Sequence, residues 1–185
     1  RDKNTHNLRG WGYSDSHFEL SDQGYLIMTG NRYEISGKNM PLFLPYIENE
    51  LDYKLDVNKL SSFEYPFPKI NKRISNKEID EWLTNRYKNK MTYDDISRMH
   101  HSHGHTHEDM YQLRNGFDRV VDTIIYPENK QDILDLINFA KSNNNVCIIP
   151  YGGGTNVTNS LSCDKYEKRT IISLDMCRMN QINWV

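Results

Sequence analysis

Three consecutive glycines, Gly152 to Gly154, constrain this chain more than any other feature of its sequence. They closely follow the apolar segment 146–149, which is typical of a buried strand. Because glycine has no Cβ, such a loop can place successive backbone N–H groups against an anion. The run is not a Walker loop, since no Gly-Lys-Ser/Thr follows, and it lacks the spaced glycines of the dinucleotide fold. The glycines alone are compatible with a flexible turn or with a phosphate-binding loop.

The segments on either side of the glycines predict a βαβ unit. Strands are predicted at 120–127, 146–149 and 170–174, a helix at 128–142, and the start of a further strand at 179–185. Pro127 ends the first strand, and the asparagines at 143–145 end the helix. Two strands separated by a crossover of this length should be parallel and joined right-handedly. The glycine loop therefore leaves the carboxyl end of a parallel strand, where such sheets bind ligands.

The preceding part of the chain is more polar. The apolar fraction is 37%, below the ~45–50% typical of a globular domain, so we expect the core to be concentrated in the C-terminal third. A strand is predicted at 25–29, helices at 43–51, 75–87 and 92–99, a helix end at 111–116 and a linker at 56–72. Pro45 should delay the first helix. Ser75 with Glu78 should cap the second helix, and Thr92 should cap the third.

Composition excludes several classes of protein. A net charge of −2 provides no basic field for nucleic acid. Three cysteines without metal-ligand spacing fit inert thiols in a reducing compartment. No apolar run approaches the ~20 residues that span a bilayer. The chain begins at Arg1 without a signal-peptide pattern and ends in the apolar segment 181–185, so we expect a piece cut inside a domain.

A histidine-rich tract, His100 to His107, contains five of the seven histidines. In an extended strand His103, His105 and His107 would share one face and could bind zinc, copper or nickel. No cysteine lies nearby. Three interpretations stay open: a metal site, a conformational or ligand-facing role that includes anion contact together with Arg98, and a solvated surface run. A non-enzymatic metal-binding module centred on the tract is one functional hypothesis.

The segment Ile148–Val157, with its flanking helix and strand, resembles the first half of the FAD-binding domain of the vanillyl-alcohol oxidase / p-cresol methylhydroxylase superfamily. Further segments are similar to the ether-lipid-forming branch of that superfamily, namely Trp11–Phe18, His103–His105, Leu113–Gly116 and Thr170–Asp175. The chain departs from the pattern in three places. Asn156 stands where serine is expected, residues 52–90 are rich in lysine and asparagine, and the histidine tract is richer.

The resemblance implies an α+β fold. Residues 1–110 would form an N-terminal arm and a mainly helical region, and residues 111–185 the first βαβ half of the FAD-binding domain, truncated at its C-terminus. It also implies that the loop formed by Pro150, Tyr151, Gly152, Gly153, Gly154, Thr155 and Asn156 binds the FAD pyrophosphate through backbone N–H groups, which all of these residues except the proline carry. Covalently flavinylated relatives often place a histidine just after the glycines. Here that position is Thr155, so we expect non-covalent FAD.

The implied reaction exchanges the acyl group of acyl-dihydroxyacetone phosphate for a long-chain fatty alcohol, with no net oxidation. The resemblance also implies a peroxisomal or peroxisome-like location, a homodimer and peripheral membrane association, although no targeting signal is visible. The catalytic tyrosine and histidine cluster of the family are expected downstream of Val185. We therefore assign no catalytic residue and no metal ligand here, and expect this chain alone to be inactive. The alternative is an FAD-linked 2-hydroxyacid oxidase or dehydrogenase of the same superfamily.

Overall fold

The structure is a computed structural model that describes residue 7 and residues 12–56 and 67–182. The chain divides into two compact units, Arg1–Tyr65 and Pro66–Val185. The predicted boundary between residues 110 and 111 stays a prediction. Trp11, most of the predicted linker and residues 183–185 lie outside the described residues.

The described residues of the first unit form a small antiparallel sheet and one helix. Strands β1 (Phe18–Leu20), β2 (Leu26–Met28) and β3 (Asn39–Met40) pair in that order, and helix α1 (Phe43–Leu51) follows. The strand predicted at 25–29 is confirmed as β2. The expectation that Pro45 delays the helix is wrong, because α1 begins at Phe43. Pro45 lies in the first turn, where the backbone N–H groups have no partner within the helix.

The second unit is built on a four-stranded mixed sheet. Its helices are α2 (Lys77–Tyr87), α3 (Asp95–His100), α4 (His107–Asn115) and α5 (Lys130–Ser142), and its strands are β4 (Met91–Thr92), β5 (Thr123–Ile125), β6 (Val146–Tyr151) and β7 (Thr170–Asp175). The strand order is β4-β5-β7-β6. Strands β5 and β6 both run parallel to β7, and β4 is antiparallel to β5. The predicted parallel unit is confirmed, with β7 inserted between its two strands.

Three local predictions in this unit are corrected. Asn76 rather than Ser75 caps α2, because its side chain accepts from the N–H groups of Glu78 and Ile79. Asp94 rather than Thr92 caps α3, since Thr92 lies in β4 and donates its hydroxyl to the Asp94 carboxylate at 2.6 Å. Met176–Arg178 form a 3-10 helix, and no strand is present at 179–182.

The core of the second unit consists of apolar clusters on both faces of the sheet. Helices α2 and α5 contribute Ile79, Leu83 and Leu136 to a cluster with Ile172. Neighbouring strand residues point to the opposite face, where Val121, Ile124, Tyr126 and Ile171 form another cluster. All six residues of β7 are buried, as expected for a parallel strand covered on both sides. The carboxyl ends of β5, β7 and β6 therefore lie together at one edge of a rigid sheet.

No helix among the described residues is both long enough and apolar enough to cross a membrane.

Candidate functional site

The loop after β6 begins with two glycines that the packing of the chain does not require. No atom lies within 4 Å of the position that a Cβ would occupy at Gly152 or at Gly153, and both residues are exposed. A side chain there would occupy the space directly in front of the backbone. The loop therefore has the open form that a backbone anion-binding site needs.

The third glycine is required by the chain itself. Gly154 has a φ of +75°, and a Cβ on it would overlap the hydroxyl of Tyr151. Asn156 is also left-handed, with a φ of 56°, whereas Thr155 between them is not among the residues of positive φ. Anion-binding nests contain left-handed residues, so the two left-handed positions at 154 and 156 are compatible with such a nest.

The ring of Tyr151 is held by a histidine from the tract. The His101 and Tyr151 rings lie 4.4 Å apart between centroids. His101 follows the last residue of α3, and its two ring nitrogens contact oxygen atoms: Nδ1 lies 2.8 Å from the Ser97 carbonyl and Nε2 lies 2.9 Å from the Asp175 carboxylate. Asp175 is the register partner of Tyr151 at the end of β7. The buried set His101, Tyr151 and Asp175 thus joins α3 to the edge from which the glycine loop departs.

The surroundings shift the pKa values of two groups at this edge and so fix their protonation states. Burial would raise the pKa of Asp175, but the hydrogen bonds from His101 and from the Cys177 N–H outweigh it and hold that pKa below its ordinary value. Burial, together with the nearby Asp175, raises the pKa of Tyr126. At neutral pH the edge therefore presents an ionised carboxylate and a neutral phenol.

The far end of the loop is fixed by the segment that opens α4. Gly104 packs so closely that a Cβ on it would overlap the Asn156 side chain. The His105 N–H donates to the Thr155 carbonyl at 3.3 Å. Asn156 Nδ2 donates to both carboxylate oxygens of Asp109, at 3.1 and 3.3 Å. The loop is therefore anchored by Tyr151 at one end and by the start of α4 at the other.

The histidine tract does not form the strand in which alternate histidines would share a face. It spans the end of α3, a turn and the start of α4. The interpretation as a solvated run is wrong for residues 101–104, which are buried. Burial lowers the pKa of His103, whose Nδ1 lies 2.8 Å from the Gly104 carbonyl and whose Nε2 has no hydrogen-bond partner within the described residues. No group of three or more His, Cys, Asp and Glu side chains suited to a metal occurs in the described part of the chain.

The structure brings the seven predicted cofactor residues, 150–156, together in one strand end and loop, as their adjacency in sequence requires. Their assignment to FAD stays a prediction. His101, Gly104, Asp109 and Asp175 hold the loop from other elements, and sequence reasoning did not assign them to the site. Gly104 and Asp175 lie in segments that carried the resemblance, and His101 lies in the tract for which a ligand-facing role was open. For Asp109 the spacing from Thr106 was a further local signal, because the two residues form a capping box.

The three cysteines are free and partly buried. Burial raises the pKa of Cys163 to about 11, so this thiol is neutral and unreactive at physiological pH.

The part of the chain that contains this sheet and loop is similar to a flavin-binding domain. Residues 121–185 match the family model described as an FAD binding domain. The chain is 39% identical to alkyldihydroxyacetonephosphate synthase of Caenorhabditis elegans over 183 residues, which cover 95% of this chain and 29% of that protein. The enzyme of Trypanosoma brucei brucei is 34% identical over 106 residues, 56% of this chain and 17% of that protein.

A solved structure of alkyldihydroxyacetonephosphate synthase matches with a TM-score of 0.82 and 25% identity, covering all of this chain and 35% of the other. The chain is therefore similar over nearly its whole length to part of the alkyldihydroxyacetonephosphate synthases, and its residues 121–185 are similar to an FAD-binding domain. It spans about a third or less of the length of these relatives. The resemblance seen in the sequence is confirmed.

Proposed function

We propose that this chain provides the pyrophosphate-binding loop of a flavoenzyme of ether-lipid synthesis. The reaction would exchange the acyl group of acyl-dihydroxyacetone phosphate for a long-chain fatty alcohol, giving alkyl-dihydroxyacetone phosphate. The observation that supports the cofactor site is the open backbone at Gly152 and Gly153. No atom of the protein lies within 4 Å of the position that a Cβ would occupy at either residue. Homology to the synthases supports the choice of reaction.

The role of this chain is to bind and orient the cofactor. Backbone N–H groups of residues 151–156 would contact the pyrophosphate, and the left-handed residues Gly154 and Asn156 would turn them toward it. When bound, FAD would supply the reactive group of the reaction. Thr155 stands where covalently flavinylated relatives carry histidine, so the cofactor would be dissociable. No described residue is assigned as the acid or base of the reaction.

The buried set His101, Tyr151 and Asp175 would serve as the rigid base of the loop. Tyr151 covers Gly154 from the strand side, and His101 holds Tyr151 against the carboxyl edge of the sheet. Because these side chains are buried, the loop would meet its ligand in one conformation, which reduces the entropy lost on binding.

The proposed site is tested by Gly153→Asp in the full-length protein. A carboxylate at this position would fill the space in front of the loop and repel the pyrophosphate, so the purified variant should carry no FAD. Val157→Asp is a matched control, since it adds the same charge at a side chain that is 83% exposed just beyond the loop. Normal flavin absorbance in Gly153→Asp would contradict the site.

The proposed reaction is tested separately with the full-length protein. Incorporation of labelled fatty alcohol into an ether product is expected from acyl-dihydroxyacetone phosphate. Anaerobic reduction of the flavin by D-lactate or D-2-hydroxyglutarate, without alcohol incorporation, would instead favour the 2-hydroxyacid oxidase or dehydrogenase alternative. The predicted peroxisome-like location, homodimer and peripheral membrane association stay predictions.

A further inference from the structure

The turn that ends the glycine loop depends on one amide side chain. Asn156 is 5% exposed and adopts the left-handed conformation that asparagine tolerates better than most residues. Its Oδ1 accepts from the Leu161 N–H at 2.8 Å, and its backbone carbonyl accepts from the Asn159 N–H at 2.9 Å. The amide thus ties the end of the loop to the turn that follows it.

The other end of this amide is held by Asp109. Both carboxylate oxygens accept from Asn156 Nδ2, and Oδ2 also accepts from the Thr106 N–H at 3.0 Å and from the Thr106 hydroxyl at 2.7 Å. Asp109 is 1% exposed. Burial would raise its pKa, but the hydrogen bonds from Thr106, Gly104 and Asn156 hold it below the ordinary value. The carboxylate is therefore an ionised acceptor shared between the N-terminus of α4 and the loop.

We infer that Asp109 is a positioning residue for FAD: by holding Asn156 it fixes the turn that ends the pyrophosphate loop, so that cofactor affinity depends on a helix outside the matched FAD-binding domain. This inference rests on the proposed function. The helix begins at His107, whereas the domain match begins at residue 121. Gly104 and His105 hold the same stretch of loop from the same side, which makes segment 104–109 a continuous support for residues 155 and 156.

The amide at position 156 and the carboxylate at position 109 can be exchanged in a double variant. In Asn156→Asp two buried carboxylates would face each other. In Asp109→Asn two amides would face each other, so that either an amide NH2 group lacks an acceptor or the hydrogen bonds from Thr106 are lost. In the double variant the amide at 109 accepts from Thr106 through its oxygen and donates to the carboxylate at 156, which still accepts from the Leu161 N–H. The hydrogen bond between the two side chains is thereby restored with its direction reversed, whereas the amide nitrogen at 109 cannot accept from the Gly104 N–H as the carboxylate does.

The experiment measures the FAD dissociation constant of the full-length protein by flavin fluorescence, with thermal unfolding of the same samples. Each single variant should weaken FAD binding by about 10-fold to 100-fold, the cost of one buried polar group left unpaired, and the double variant should recover part of that loss. Asp132→Asn is the control. It makes the same change at a carboxylate that is 1% exposed in the first turn of α5 and that is held by Lys90 and the Glu128 N–H.

The outcomes separate the inference from the proposed function. Recovery in the double variant, with near-normal FAD affinity in Asp132→Asn despite its lower melting temperature, supports the positioning role. Wild-type affinity in folded Asp109→Asn, or equal weakening in Asp132→Asn, overturns the positioning role. If Gly153→Asp still loses FAD in that case, the proposed pyrophosphate site is retained. A wild-type protein that binds no FAD would overturn both.

Discussion

Residues 12–56 of the first unit include no buried side chain, whereas in the second unit every residue of β7 is buried. The first unit is held by turn hydrogen bonds, three short strands and surface pairs such as Arg32 with Asp15. Surface pairs of this kind contribute little free energy, and small isolated sheets are only marginally stable. The second unit buries its apolar residues on both faces of a sheet and also buries charged residues.

The contrast shows where the function can be placed. A loop that must meet a charged ligand in one geometry needs a support that does not move, and only the second unit offers buried groups for that purpose among the described residues. The same contrast predicts that equivalent substitutions should have very different effects in the two units.

The largest effect is expected at Asp122. This residue is fully buried, and its carboxylate accepts from Arg119, from the Ile74 N–H at 2.7 Å and from the Ile171 N–H at 2.8 Å. Asp122→Ala would leave a buried guanidinium and two backbone donors without that acceptor, at a cost of about 3–5 kcal/mol. Chemical denaturation measures the loss. Asp15→Ala, which breaks the surface pair with Arg32, is the control and should leave the midpoint nearly unchanged; equal losses would refute the contrast.

A somewhat smaller effect is expected in the apolar core. Leu136 of α5 is fully buried, so Leu136→Ala should destabilise the protein by about 2–5 kcal/mol through lost burial and a residual cavity. Leu51 of α1 is 64% exposed, and Leu51→Ala should change stability by less than about 0.5 kcal/mol. Thermal unfolding followed by circular dichroism compares the two. A large loss in Leu51→Ala would show that the first unit has a core that its burial does not indicate.

Much of the second unit follows from local sequence patterns. Helix α5 and strands β6 and β7 were predictable because apolar periodicity and β-branched runs act over a few residues. The glycine loop was predictable because its residues are adjacent in the chain. Strands β1 and β3 were missed because they are short and partly exposed, so they carry no strong alternation.

What escaped prediction depends on contacts between distant residues. Nothing local indicates that β7 inserts between β5 and β6, because sheet order depends on which strand packs most completely. The pair His101 with Asp175 joins positions 74 residues apart, and the pair Asp109 with Asn156 joins positions 47 residues apart. Three interpretations of the histidine tract stayed open because neither its composition nor its spacing shows which residues of other elements it contacts in the fold.

A smaller effect is expected at the start of α2. Asn76→Ala removes the side chain that accepts from two backbone N–H groups and should cost about 1 kcal/mol. Ser75→Ala should cost much less, because Ser75 is not the cap. Hydrogen exchange of the first turn of α2 reports the difference. Helix α1 has Leu42 at its N-cap and no side-chain cap bond, so Leu42→Ala should leave its first turn unchanged. Greater loss in Ser75→Ala than in Asn76→Ala would reverse the assignment of the cap.

The smallest effect is a dependence on pH. Burial lowers the pKa of His103 below the ordinary 6.5, despite the hydrogen bond with the Gly104 carbonyl. As pH falls, the unfolded chain therefore takes up this proton before the folded protein does. The contribution of His103 to stability is fully present above the unfolded pKa and is lost progressively as pH falls below it, toward the folded pKa.

His103→Gln should accordingly lose less stability than the wild type between about pH 7 and about pH 5, by roughly 1 kcal/mol or less for one proton. Denaturation midpoints measured at several pH values give the two slopes. If His103→Gln kept the wild-type slope, the burial of His103 would carry no proton linkage, and the difference between the two units would then rest on packing and paired charges alone.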